Sequence, residues 1–198
     1  MKYINQKLYP DIPYITRQEL ETEEAREAGL HTTVASSACG LCTAVTVVDR
    51  LTVNTDFNLS DAIRLAYDTN ANHRIGTDYK IFAPALAERF GLETETTGDP
   101  EQLLFCLRTG GCAVAEVSGD REGHIGLFAH IGHFVAVIAV QKDARLVILD
   151  PAYQPGRYDE EGRKGKVEVK NGFCLTSVED LTDDIVTSRP GYWLFWRK

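Results

Sequence analysis

Helical signals fill the first half of this chain, and strand signals follow Gly110-Gly111. That order constrains the fold more than any other feature. Alternating units would wind around a parallel sheet, whereas segregated ones pack helices on an antiparallel sheet, an α+β architecture. Asp99 is a helix cap with Pro100 in the first turn, and that helix ends at Gly110-Gly111. Another spans roughly residues 79–90 and stops at Gly91; a third begins after Ser60 and buries Ala62, Ile63, Leu65 and Ala66. An acidic helix over about 17–28, stopped by Gly29, follows an irregular start. Residues 1–30 therefore read as an arm of the same unit, and 31–198 as one domain. A chain of 198 residues suits a single sizeable core. Strands are expected at 112–117, 134–140, 145–149, 167–169 and 192–196, with Cys106, Cys112 and Cys174 packed as small core residues.

Chemistry concentrates at three places. In Ser36-Ser37-Ala38-Cys39-Gly40-Leu41-Cys42, two good N-cap residues precede a thiol. The following Thr43-Ala44-Val45-Thr46-Val47-Val48 has strand propensity, yet Leu41, Ala44, Val45 and Val48 fall at helical spacing, so periodicity leaves the choice open. At a helix start, the dipole and the unpaired N–H groups would favour thiolate over thiol. Downstream, strands 134–140 and 145–149 are separated by Gln141-Lys142-Asp143-Ala144, short enough for a hairpin. Folding there brings His133 and Asp150 to one end of adjacent strands, within the roughly 5–7 Å of cross-strand and diagonal neighbours. A thiol, an imidazole to take its proton and a carboxylate to orient the imidazole make an acyl-transfer centre.

Together Thr33-Val34-Ala35-Ser36-Ser37-Ala38-Cys39-Gly40, Gly132-His133-Phe134 and Leu149-Asp150-Pro151 resemble the bacteriocin-processing, double-glycine-leader peptidases and their stand-alone relatives. Gly76-Thr77 ahead of a helix and the closing Tyr192-Trp193-Leu194-Phe195-Trp196 strand extend the likeness over most of the chain after His31. The resemblance implies a papain-like cysteine peptidase fold with Cys39 at a helix start. It implies Cys39 as nucleophile, His133 as base and Asp150 as orienting carboxylate, with no cofactor and a peptide or protein substrate. Two positions depart from the family. A glutamine common before the cysteine is replaced by Thr32, Thr33 and the serines, which leaves oxyanion support to Ser37 or Ser36. Leu41 stands where proline commonly follows Cys-Gly.

Rival readings exist for most of these residues. Cys42 competes with Cys39, because Cys-Gly-X-Cys also resembles the papain segment in which the second cysteine attacks; the pair also resembles a thioredoxin-like motif, which wants a parallel sheet. His124, His130 and His133 invite zinc, but their spacing matches no familiar motif, and the reading adopted is no metal. His130 rivals His133 as base; Asp143, Asp183 and Asp184 read as turn carboxylates, and Arg163-Lys164-Gly165-Lys166 as a solvated turn. A net charge of -8 argues against nucleic-acid binding, and no apolar run approaches the roughly 18 residues of a membrane span. The start lacks the apolar core of a secretory signal, and five cysteines are an odd count, so the expectation is a cytoplasmic protein with reduced thiols. The functional expectation is a Cys-His-Asp hydrolase working through a thioester. Its alternatives are a catalytically silent peptide-binding relative and an amide hydrolase or acyltransferase on the same triad.

Overall fold

The computed structural model describes residues 1–14, 32–53, 55–73 and 76–198. The expected acidic helix at 17–28, Gly29 and His31 lie outside the described residues. Six α-helices are described: α1 (Val34–Ser37), α2 (Cys39–Leu51), α3 (Leu59–Asp68), α4 (Tyr79–Phe90), α5 (Pro100–Arg108) and α6 (Val178–Asp184). The strands are β1 (Asn72–His73), β2 (Gly76–Thr77), β3 (Leu92–Thr97), β4 (Cys112–Val117), β5 (His133–Val140), β6 (Leu146–Leu149), β7 (Glu168–Lys170), β8 (Phe173–Thr176) and β9 (Tyr192–Arg197). β1 and β2 form a small ribbon; the other seven make one antiparallel sheet in the order β3-β9-β4-β5-β6-β8-β7.

Capping chemistry sets several helix ends where the sequence placed them. Asp99 accepts from the Glu101 N–H with Pro100 in the first turn, and Gly91 ends α4 at φ 62°, a left-handed conformation that glycine adopts without strain. The segment after Cys39 resolves as helix despite its β-branched residues, because burial overrides propensity. Leu41, Ala44, Val45 and Val48 are nearly inaccessible, and so are Thr43, Thr46 and Val47 on its other sides. The cap differs from expectation. Ser36 accepts from the Thr33 N–H and closes the box on α1, so α2 starts at Ala38 with no side-chain cap.

The helices are not confined to one layer. Along β4, Cys112 and Val114 join the core under α2, α3 and α4, whereas Ala113, Ala115 and Val117 face the opposite core with Leu103, Leu107 and Leu181 of α5 and α6. The central strands are therefore covered on both faces. Among the described residues, no helix is long and apolar enough to cross a membrane.

An N-terminal strap ties α1 to the strand ends. Tyr3 hydroxyl donates to the Asp150 carbonyl (2.7 Å), and the Gln6 N–H to the Pro151 carbonyl (2.7 Å). Gln6 Nε2 and Lys7 Nζ both donate to the Ala35 carbonyl.

Gly40, in the first turn of α2, lies against α4. A Cβ there would come 2.9 Å from the Tyr79 ring and 3.1 Å from Thr77 Cβ. Tyr79 is buried and its hydroxyl donates to the Gly40 carbonyl, so it has little room to yield. Gly40→Ala should cost about 1–3 kcal/mol, read as a lower urea midpoint. An unchanged midpoint would mean that Tyr79 shifts freely.

Candidate active site

Cys39 opens α2, where the first backbone N–H groups have no intrahelical partner. It is half-buried, whereas the other four cysteines are buried. His133 opens β5, the neighbour on which α2 packs, and its imidazole lies close enough to the Cys39 thiol for the two to interact electrostatically. Burial alone would raise the thiol. The His133 charge, together with the Phe134 and Gly40 N–H groups, outweighs it and holds Cys39 below the ordinary thiol range. Burial would likewise disfavour imidazolium, yet the charges of Cys39 and Asp150 raise His133 to about 9.

The far side of the imidazole is fixed by Asp150. The register pairs Ala136 with Leu149, so Asp150 leaves β6 diagonally from His133. His133 Nε2–H donates to Asp150 Oδ1 at 2.7 Å, which turns Nδ1 towards Cys39. Asp150 is 1 % exposed and fully engaged: Oδ1 also accepts from the Ala152 N–H (2.8 Å), Oδ2 from the Tyr158 hydroxyl (2.7 Å), and Arg157 Nε lies 3.3 Å away. Burial pushes the carboxyl up, but His133, Arg157 and Tyr158 together hold it below the usual carboxylate range. The hairpin loop expected at 141–144 is present, with the Gln141 N–H bonded to the Arg145 carbonyl (2.8 Å).

Three side chains that the sequence singled out are thus brought together, and others are not. Ser36 and Ser37 hydroxyls bond each other (3.1 Å), and neither serine lines the cleft in front of Cys39. Cys42 lies one turn into α2, and burial pushes its thiol far up. The three histidines share no partner: His124 goes to Asp184 (2.8 Å), His130 to Asp120 and Glu160 (2.9 and 3.0 Å), and His133 to Asp150. Asp184 is no turn carboxylate. It is inaccessible and accepts from His124 and from the Leu127 and Phe128 N–H groups, organising the loop before β5. Arg163 is likewise buried, its Nε donating to the Gly126 carbonyl (2.7 Å), whereas Lys164, Gly165 and Lys166 are exposed.

The cleft has a volume of about 470 Å³, with Cys39 and His133 in its wall and Tyr79, Phe134 and Trp193 as aromatic lining. Glu116 and Arg189 also line it, and no motif or spacing singles out either. Tyr158 and Arg157, which share Asp150 with His133, were equally silent: both follow Pro151 in an irregular loop without periodicity. A larger depression over α5 and β9 contains none of the three chemistry-bearing residues.

No family model matches the sequence, and no curated protein matches it. Solved structures do match. The peptidase domain of Streptococcus ComA, a bi-functional ABC transporter involved in a quorum-sensing pathway, superposes with a TM-score of 0.51 at 15 % identity. The match covers 81 % of this chain and 91 % of that one. A Bacillus anthracis protein described as C39-like peptidase gives 0.53 at 10 % identity, over 81 % of this chain and 88 % of its own. At these identities the likeness establishes architecture: the chain has the papain-like fold of C39 peptidase domains.

Proposed function

We propose that this chain is a cysteine peptidase that hydrolyses a peptide or amide bond through Cys39, His133 and Asp150. One observation carries the reading: a half-buried thiol at a helix start faces a buried imidazole that is itself hydrogen-bonded to a buried carboxylate, beside a cleft. Cys39 thiolate forms a bond to the substrate carbonyl carbon and drives its electron pair onto oxygen. The N–H groups at the start of α2 are the donors available to that oxyanion, each typically worth about 3 kcal/mol. Ser36 and Ser37, engaged with each other, are left out of this step. As the intermediate collapses, the C–N bond breaks and His133 gives its proton to the departing amine. Water, deprotonated by His133, then attacks the thioester and returns the thiolate. Asp150 keeps the imidazole turned and stabilises its charged form. An amine in place of water would make the same centre an acyltransferase.

A pH series of iodoacetamide labelling, read by peptide mass spectrometry over the five cysteines, tests the premise. Cys39 is lowered and His133 is raised to about 9, so the ion pair occupies the window between those values. Labelling of Cys39 should therefore persist well below the roughly 8.5 of a free thiol. Burial raises Cys106 to about 11 and Cys174 to about 12, and pushes Cys42 and Cys112 further, so these should stay silent. In His133→Ala, burial is left without its main counterweight, and the Cys39 profile should move up by about 1–3 pH units. Slow, uniform labelling that rises only near pH 8.5 would leave a peptide-binding cleft without turnover.

A further inference from the structure

The face of β4 that packs under α2 carries Cys112, Val114 and then Glu116, a carboxylate at the cleft end of an apolar row. Glu116 is 9 % exposed and sits opposite Phe134 in the sheet register. Its only side-chain partner among the described residues is Arg189, which donates through Nε to Oε2 (3.2 Å) and through a terminal nitrogen to Oε1. The loop over 186–191 that bears Arg189 is pinned at both ends to the same residue. The Glu116 N–H donates to the Gly191 carbonyl (2.8 Å), and the Val186 N–H donates to the Glu116 carbonyl (3.0 Å). The two partners are held differently. The Glu116 carboxylate is fixed in the cleft wall, whereas the Arg189 side chain is 41 % exposed on an arch.

A carboxylate buried at that position costs free energy unless a cation stays with it, and a pair of apolar residues would hold the same loop at less expense. The retained charge has a use where it faces a ligand. We propose that Glu116 selects a substrate carrying a guanidinium or ammonium side chain near the scissile bond, and that Arg189 holds the place of that cation in the free protein. The proposal rests on the reading of this cleft as the substrate site of Cys39. An incoming cation takes over the carboxylate while Arg189 swings into water, at little cost for a side chain already partly hydrated. The Tyr79 ring, stacked on Phe134 at 4.6 Å and tilted against Trp193 at 5.7 Å, gives the stem and charge of such a residue an apolar wall with them. Asp78 also attracts Arg189, and Lys80 lines the same mouth with opposite sign, so exchange of one cation for another preserves the local charge balance. An acidic substrate residue would have to pull Arg189 from its two-point contact and strand Glu116.

Tripeptidyl chloromethyl ketones test this, because Cys39 sulfur displaces chloride to form a stable thioether. Two sets are used, Ala-Ala-X and Ala-X-Ala, with X as Arg, Gln or Glu. In at least one set, the second-order alkylation rate for Arg should exceed that for Gln by about tenfold or more, the worth of one charge-assisted contact. Glu116→Gln should bring the ratio close to one, Glu116→Asp should restore part of it, and Arg189→Gln should speed the Arg probe. Equal rates for Arg and Gln in both sets, preference for Glu, or an unchanged ratio in Glu116→Gln would overturn the proposal. Iodoacetamide has no side chain and reports the thiolate alone. Slow iodoacetamide labelling with an intact Arg preference removes the proposed chemistry and keeps the specificity; fast labelling with equal rates does the reverse.

Discussion

Cys39→Ala should abolish turnover of any peptide substrate while the circular dichroism spectrum stays that of the parent chain. The expected loss is about 10⁴-fold or more, the scale on which removing a nucleophile leaves only binding and oxyanion stabilisation. The fold should tolerate it. Cys39 is half-buried at the start of α2, and the helix is anchored by Leu41, Ala44, Val45 and Val48, which the substitution leaves alone. The variant also separates two thiols one turn apart. Cys42 is buried and its thiol is pushed far up, so it should not take over. Retained turnover in Cys39→Ala would move the nucleophile there and break the assignment.

Asp150→Ala should be the most destabilising single change at the site. Its carboxylate accepts from His133, Tyr158 and the Ala152 N–H and faces Arg157, all in a region nearly closed to water. Truncation strands those groups, and breaking a buried charge network of this kind typically costs about 3–5 kcal/mol. The pH dependence has a definite sign. The folded carboxyl lies below the unfolded value near 3.9, so its stabilisation is complete above about pH 4 and is lost as pH falls through the folded value. The gap between parent and Asp150→Ala in urea midpoint should therefore narrow in acid. Asp150→Asn keeps the volume but no longer fixes the imidazole or stabilises its charged form. Turnover should fall by about 10³–10⁴-fold with a smaller loss of stability. An asparagine variant that works within a few-fold of the parent would refute the orienting role.

What could be read from the sequence, and what could not, follows the range of the interactions involved. Asp99 with Pro100 and the glycine at 91 act within a turn, and both helix ends fell where these signals placed them. The hairpin between β5 and β6 is also local, and it carried the reach from His133 to Asp150 into view from spacing alone. Cys39 is different. Its helix was arguable from periodicity, but its contact with His133 depends on how α2 lies on the sheet, and only the resemblance supplied that. β3 escaped notice because Leu-Glu-Thr-Glu-Thr-Thr is an edge strand with little apolar content, held by its pairing with β9. Arg163 and Asp184 read as surface groups because their types usually are. The Gly126 carbonyl that accepts from Arg163, and the Leu127 and Phe128 N–H groups that donate to Asp184, lie some 37 to 57 positions away.

The place of β9 in the sheet bears on when this molecule acquires its chemistry. β3 and β4 leave the ribosome with a slot between them, and the strand that fills it is made roughly 75 residues later, on the order of 4–15 s at ordinary elongation rates. Until then two strand edges stand open and α5 has only part of its floor. The cleft is unfinished for the same interval, since Trp193 and Arg189 arrive with that late segment and His133 itself trails Cys39. A nascent chain thus carries Cys39 without its finished cleft until β9 emerges. The proposed cleavage chemistry therefore waits until β9 slides into the gap and completes the cleft.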